Sequence, residues 1–194
     1  MATSAPTLIK PLADGTFAAT DVTTELYDAR VLRLDGLVDQ EACMRLCSLL
    51  LLLEREDSEA PVTLIISSPG GSVMAGLALI DVMADVSCPV HTVALGMVAS
   101  MGSVILACGD ERAAYPHAEV MVHQIMAGGG GMSQQTDVEI AARHTARLRR
   151  TLDELLAAHS KLTAEEVHDL TERDCYLTAE EALGYGLIDK IVGR

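Results

Sequence analysis

The chain has 194 residues, 49% of them hydrophobic, and a formal net charge of −14. That supplies enough apolar side chain for one core of ordinary size. A chain so acidic, with no Lys/Arg cluster, lacks the counterion-releasing patch that nucleic acids or anionic lipid surfaces require. With one Phe, four Tyr and no Trp, the core must be built from Leu, Val, Ile, Ala and Met, and base-stacking or sugar platforms are not expected.

The opening stretch MATSAPTLIKPLADGT has no long apolar segment of the secretory type. The longest apolar run, Leu49 to Leu53, is far too short to cross a bilayer. We therefore expect a soluble, cytoplasmic protein with no membrane partner and a mobile segment over residues 1–26. From Arg30 onward, short β-branched runs alternate with helical patterns: VLRL, a leucine-rich helix near Asp39 to Glu54, VTLIIS, a helix after SPGG, and VHTVAL. That alternation predicts an α/β domain whose sheet is covered by helices.

RAAY and EVMVHQ predict two further strands, followed by the glycine-rich AGGGGMS. From Gln134 to about His159, Val138, Ala141, Ala142, Thr145, Leu148, Leu152, Leu155 and Leu156 keep the spacing of one helix face. A helix of six turns would project beyond a small domain. Two capping boxes follow, Thr163 with Glu166 and Thr178 with Glu181, with the strand-like RDCYL between them. The five cysteines (Cys43, Cys47, Cys88, Cys108, Cys175) form no CxxC pair and sit mostly in apolar runs, which reads as small core residues in a reducing compartment. No metal site is expected.

Two stretches repeat one arrangement. SSPGGS (67–72) follows a predicted strand and precedes a helix from about Val73; GMVASMGS (96–103) follows VHTVAL and precedes SMGSVILAC. Glycines permit sharp turns and leave N–H groups approachable, and a helix N-terminus favours developing negative charge. Ser100 stands at the second of these helix starts, where a plain N-cap is the competing reading. A serine nucleophile needs a base and an orienting acid. Of the six histidines, His144, His159 and His168 lie in charged helical patterns, His91 opens a strand and His117 sits in a turn. His123 instead ends EVMVHQ, where a sheet delivers side chains to a cleft. Asp137, Asp153, Asp169, Asp174 and Asp189 all follow it, and periodicity selects none of them.

SSPGGS, GMVASMGS, VMVHQ, the long helix and TERDCYLTAEEALGYGLIDKI, in that order, resemble the proteolytic subunit of the Clp protease, the ClpP family, from about Tyr27 to Ile191. The resemblance implies a single domain with a crotonase-type β/α spiral head (27–122 and 160–194) and a projecting long-helix handle (123–159). It implies Ser100 as nucleophile, His123 as base and Asp174 as orienting acid, with the backbone N–H groups of Gly71 and Met101 as the oxyanion hole. Substrate is then expected as an added strand beside Ile125, Met126 and Gly128. Arg173 falls at a ring-to-ring ion-pair position of the family.

The resemblance further implies heptamers stacked into a tetradecamer, unfolded protein substrates, and a hexameric Clp ATPase that consumes the ATP, so this chain itself needs no cofactor. Three departures stand out. Ile125 replaces the family's proline after His-Gln, Thr63, Ile65 and Asp85 occupy aromatic ATPase-docking positions, and the tyrosine-serine and paired-leucine segment ahead of the first strand is absent. These favour an alternative reading: a weakly active or inactive structural or regulatory ring subunit that assembles with a second paralogue.

Overall fold

The computed structural model of the chain describes residues 7–11, 14–127 and 134–193. Within the segment expected to be a mobile N-terminus, β1 (Thr7–Pro11) and β2 (Phe17–Asp21) pair as an antiparallel hairpin. Asp21 then caps α1 (Val22–Asp28) through the amides of Thr23 and Thr24. The hairpin's alternation is weak because all of β1 is exposed, so no hydrophobic period announces it.

The remaining strands form one sheet. β3 (Val31–Val38), β4 (Val62–Gly71), β5 (Val90–Ala99), β6 (Glu111–Ala114) and β9 (Lys190–Ile191) lie in that order, all parallel. β7 (Glu119–Val122) adds to β5 in parallel beyond the end of β6, and β8 (Cys175–Thr178) pairs β7 antiparallel. This is the mixed α/β architecture expected from the alternation of strands and helices. α2 (Gln40–Glu56), α3 (Val73–Asp85) and α4 (Met101–Ala107) connect the first strands and pack on one another and on the sheet.

Pleating decides what each strand residue meets. Val62, Leu64 and Ile66 point into the core and are 0–1% exposed. Thr63 and Ile65 alternate with them on the outer face, level with His91 and Val93 of β5 and with Val31 and Arg33 of β3. Cys43, Cys47, Leu46, Leu50 and Leu53 of α2 are buried on the other side. Cys43 and Cys47 thus serve as small apolar side chains, and burial pushes the Cys43 thiol up to about 11.

Two strands run further than their β-branched runs predict. β4 continues through SPGG because Leu37 and Val38 of β3 pair with Gly70 and Gly71 after a register shift. β5 continues through GMVA because Met97, Val98 and Ala99 pair with β7. Tertiary hydrogen bonding therefore holds these glycine-containing segments extended where local chemistry alone reads as turns.

α5 (Gln135–Ala158) realises the long helix. Its buried residues are Asp153 and Leu156, both in the C-terminal half, while Val138 and Ile140 remain 56% and 53% exposed. The predicted apolar face is thus covered by the described residues chiefly in its C-terminal half, where α5 packs on α4 and α6 (Ala164–Leu170). Both expected capping boxes form, Thr163 with Glu166 at α6 and Thr178 with Glu181 at α7 (Ala179–Tyr185). No helix among the described residues is long and apolar enough to cross a membrane.

Candidate active site

Parallel strands end on the same edge of a sheet, so side chains just past their carboxyl ends share one crevice. Ala99 pairs with Met121, which brings Ser100, one residue past β5, beside His123, one residue past β7. In the antiparallel pair, Val122 sits opposite Cys175. The residue after Val122 is His123 and the residue before Cys175 is Asp174, so the register alone sets them across from one another.

Ser100 takes φ 56° and ψ −124°, a conformation a non-glycine residue adopts at a cost of about 1–3 kcal/mol. Three bonds hold it there. Its N–H donates to Met121 O at 2.9 Å, and the Ser103 hydroxyl is within reach of both Ser100 O at 2.6 Å and Met121 O at 2.9 Å. The sharp strand-to-helix turn therefore lies at Ser100 itself and not at Gly96 or Gly102. Gly70 is needed beside it, since a Cβ there would stand 2.5 Å from Ser100 Cβ. Gly71 is tied to Val38 in the same manner, at 2.3 Å from Val38 O.

The Ser100 side chain makes no capping bond to its own helix. Its Oγ instead lies 2.8 Å from His123 Nε2. The other ring nitrogen, Nδ1, faces Asp174 Oδ1 at 3.4 Å, with the imidazole 9% and the carboxylate 61% exposed. A hydroxyl held on an imidazole in this way can surrender its proton as it attacks a carbonyl carbon, provided Nε2 is the unprotonated nitrogen. The exposed carboxylate thus stands slightly beyond ordinary hydrogen-bond length from the ring.

These three residues line a cavity of about 420 Å³ together with Gly70, Gly71, Met101, Ile125 and Met126. Leu37, Val73, Val104 and Leu156 supply apolar wall, and Arg149 and Asp153 supply the charged part of it. Met126 is 79% exposed at the rim. Gly128, the remaining residue expected along a substrate strand, lies outside the described residues. Arg173 projects into solvent with its side chain 85% exposed. Thr63, Ile65 and Asp85 do not line the cavity; Thr63 and Ile65 are half-buried on the outer sheet face and Asp85 is exposed at the end of α3.

Of the other aspartates that the sequence left open, two have partners of their own and two lie on helices away from His123. Asp153 Oδ2 lies 3.0 Å from His168 Nδ1, and Asp189 accepts from Arg112, whose guanidinium holds the carboxyl below its ordinary value. Asp137 lies in the exposed first turn of α5 and Asp169 on α6. Among the described residues no group of three or more His, Cys, Asp or Glu side chains could hold a metal ion.

Sequence reasoning missed Ser103, Gln124 and Arg149. The first was signalled only by a second serine three residues after Ser100. The others are polar residues whose partners are distant in sequence, so no local pattern marks them.

A family model described as Clp protease matches residues 14–194 of the chain. The chain is 42% identical over 176 residues to the ATP-dependent Clp protease proteolytic subunit of Streptococcus gordonii, covering 90% of each protein. It is equally similar, over the same share of both chains, to the subunit of that name from Streptococcus pneumoniae. A match across nearly the whole length and at this identity shows that this chain belongs to the Clp protease family.

Proposed function

We propose that this chain is the serine endopeptidase subunit of an ATP-dependent Clp-type protease and cleaves unfolded polypeptide with Ser100, His123 and Asp174. The observation that carries the reading is the 2.8 Å contact from Ser100 Oγ to His123 Nε2 at a serine held in strained backbone geometry. An N-cap serine needs neither.

In this mechanism Ser100 Oγ attacks the scissile carbonyl carbon while His123 Nε2 takes the hydroxyl proton. The carbonyl oxygen becomes an oxyanion, stabilised by the backbone N–H groups of Gly71 and Met101. His123 returns the proton to the departing amine, leaving an acyl ester on Ser100. Water activated by the same imidazole then hydrolyses the ester. Asp174 holds the ring with Nδ1–H outward and favours the imidazolium. Substrate backbone enters beside Ile125 and Met126, a mode that recognises main chain and tolerates varied side chains.

Assembly into heptamers and a tetradecamer, with a hexameric ATPase feeding the chamber, forms part of the same proposal. Support comes from the family and from the exposed Val138 and Ile140 on α5, apolar side chains that a second subunit would cover. The test is labelling by a fluorophosphonate: Ser100 modified in the wild type and no label on Ser100→Ala is the expected result. No label on wild-type rings overturns the reading.

A second reading, a weakly active structural or regulatory ring subunit working with a paralogue, is favoured by the 3.4 Å separation and 61% exposure at Asp174. Thr63, Ile65 and Asp85 in place of docking aromatics favour it too. Native mass spectrometry with and without the paralogue, beside the labelling rate in each state, separates the two.

A further inference from the structure

We infer that Arg149 of the long helix α5 is a positioning residue that sets the distance between His123 and Asp174 by clasping the chain on both sides of that pair. The inference rests on the peptidase reading above.

Its guanidinium, with the side chain 19% exposed, reaches two segments remote from each other in sequence. Nη1 donates to Gln124 Oε1 at 3.0 Å, and Nη2 donates to Glu172 Oε2 at 2.9 Å. Gln124 immediately follows His123, and Glu172 stands two residues before Asp174. The two segments are also joined directly. Gln124 N–H donates to Thr171 O at 2.5 Å, and Gln124 Nε2 donates to Glu172 O at 2.8 Å. Base and acid thus hang from one knot of hydrogen bonds, and Arg149 is the member that fastens it to the helix.

The planar, permanently charged fork suits this task, since it places two donors in fixed relation where an ammonium offers a single point charge. Arg149 Nε is buried and lies 3.9 Å from Asp153 Oδ2, while Asp153 is held in turn by His168 at 3.0 Å. The Asp153 carboxylate therefore faces the guanidinium from behind by charge alone, without a hydrogen bond to Nε. Arg149 also lines the cavity, as do Asp153 and Gln124, but it makes no hydrogen bond or ion pair with Ser100 or His123 among the described residues, so it acts through the segments it holds. The hydrogen bond from Arg149, with its charge, lowers the Glu172 pKa from its ordinary value.

Asp174 is exposed and 3.4 Å from the ring, and among the described residues His123 is its one ion-pair partner, so its place depends on residues 171–173. A displacement of about 1 Å at such a site costs on the order of 10²-fold in rate. Removing one fastening of the knot, with the direct Gln124 bonds left, is a partial loss.

The experiment uses full-length assembled protein, a fluorogenic peptide and Ser100 labelling. Arg149→Ala is expected to lower kcat about 10- to 100-fold, with KM changed less than about twofold, and to slow labelling in parallel. Arg149→Lys recovers only part of the loss, because one ammonium cannot span Gln124 and Glu172. In an Asp174→Asn background the same Arg149→Ala change costs less than about twofold, since the carboxylate it positions is gone.

Equal losses in both backgrounds, or wild-type kcat in Arg149→Ala, overturn the inference. If Arg149→Ala fails to assemble, Glu172→Ala at the exposed end removes the acceptor and opens the same clasp from its other side; an unchanged kcat there overturns it as well. Failure of wild-type protein to label at Ser100 refutes the peptidase reading itself, an outcome distinct from labelling that is indifferent to Arg149.

Discussion

Gly70→Ala tests the site geometry most directly. The added Cβ would stand 2.5 Å from Ser100 Cβ and 2.8 Å from Ala99 O, at a residue whose φ is +91°. Ordinary carbon contacts begin near 3.5 Å, so Ser100 or β4 must give way by about 1 Å. Neither moves freely: Gly70 pairs with Leu37 in the sheet, and Ser100 is bonded to Met121. Left-handed strain adds about 1–2 kcal/mol.

A shift of that size breaks the alignment of Oγ with Nε2 and is expected to lower kcat/KM about 100-fold, equivalent to roughly 2.7 kcal/mol of barrier. The assay is peptide hydrolysis and Ser100 labelling rate beside thermal unfolding. Gly184→Ala serves as control, because nothing lies within 4 Å of a Cβ there, and it is expected to be neutral. Labelling of Gly70→Ala at the wild-type rate would refute the claim that Gly70 fixes the nucleophile.

Ser103→Ala removes the hydroxyl shared by Ser100 O and Met121 O, each of which keeps a backbone N–H donor, a loss of about 0.5–1.5 kcal/mol read as a lowered midpoint in denaturant; an unchanged midpoint contradicts the bracing role. His159 is half-buried, and burial first, then the Arg112 charge, lowers its pKa from the ordinary value near 6.5. Its contribution is present above pH 6.5 and is lost as pH falls below that value, because the unfolded state binds the proton first. Tm should therefore drop less for His159→Gln than for wild type between pH 7.5 and 5.5, and parallel curves would exclude this. The Arg112 hydrogen bonds depress the Asp189 pKa, so the stability they add is present above the ordinary carboxylate pKa and is lost as pH falls through the folded value. Asp189→Asn is accordingly less stable than wild type at pH 7, with the gap closing below about pH 4; a gap independent of pH would count against the ion pair.

Much of the fold was legible because its signals are local. Val62, Leu64 and Ile66 alternate with polar or half-buried neighbours, Asp39 and Ser72 accept from amides of the helices they precede, and both Thr/Glu boxes close as their spacing requires. The limits of β4 and β5 were not legible, since the ladder partners that hold SPGG and GMVA extended come from β3 and β7. The exposed hairpin of β1 and β2 carries no buried face to impose a period.

By itself the sequence determined the succession of strands and helices, the composition of the core and which glycine-flanked serine merits attention, all properties of short-range sterics and hydrophobic period. Spacing left five aspartates as equals and Ser100 divided between cap and nucleophile, and only the family resemblance pointed to Asp174. Which aspartate lies beside His123, and that Ser100 Oγ faces the imidazole, the tertiary structure decided. The pairings Ala99 with Met121 and Val122 with Cys175 join residues separated by 22 and 53 positions in the chain. No local preference encodes such contacts, and they alone bring Ser100, His123 and Asp174 to one crevice.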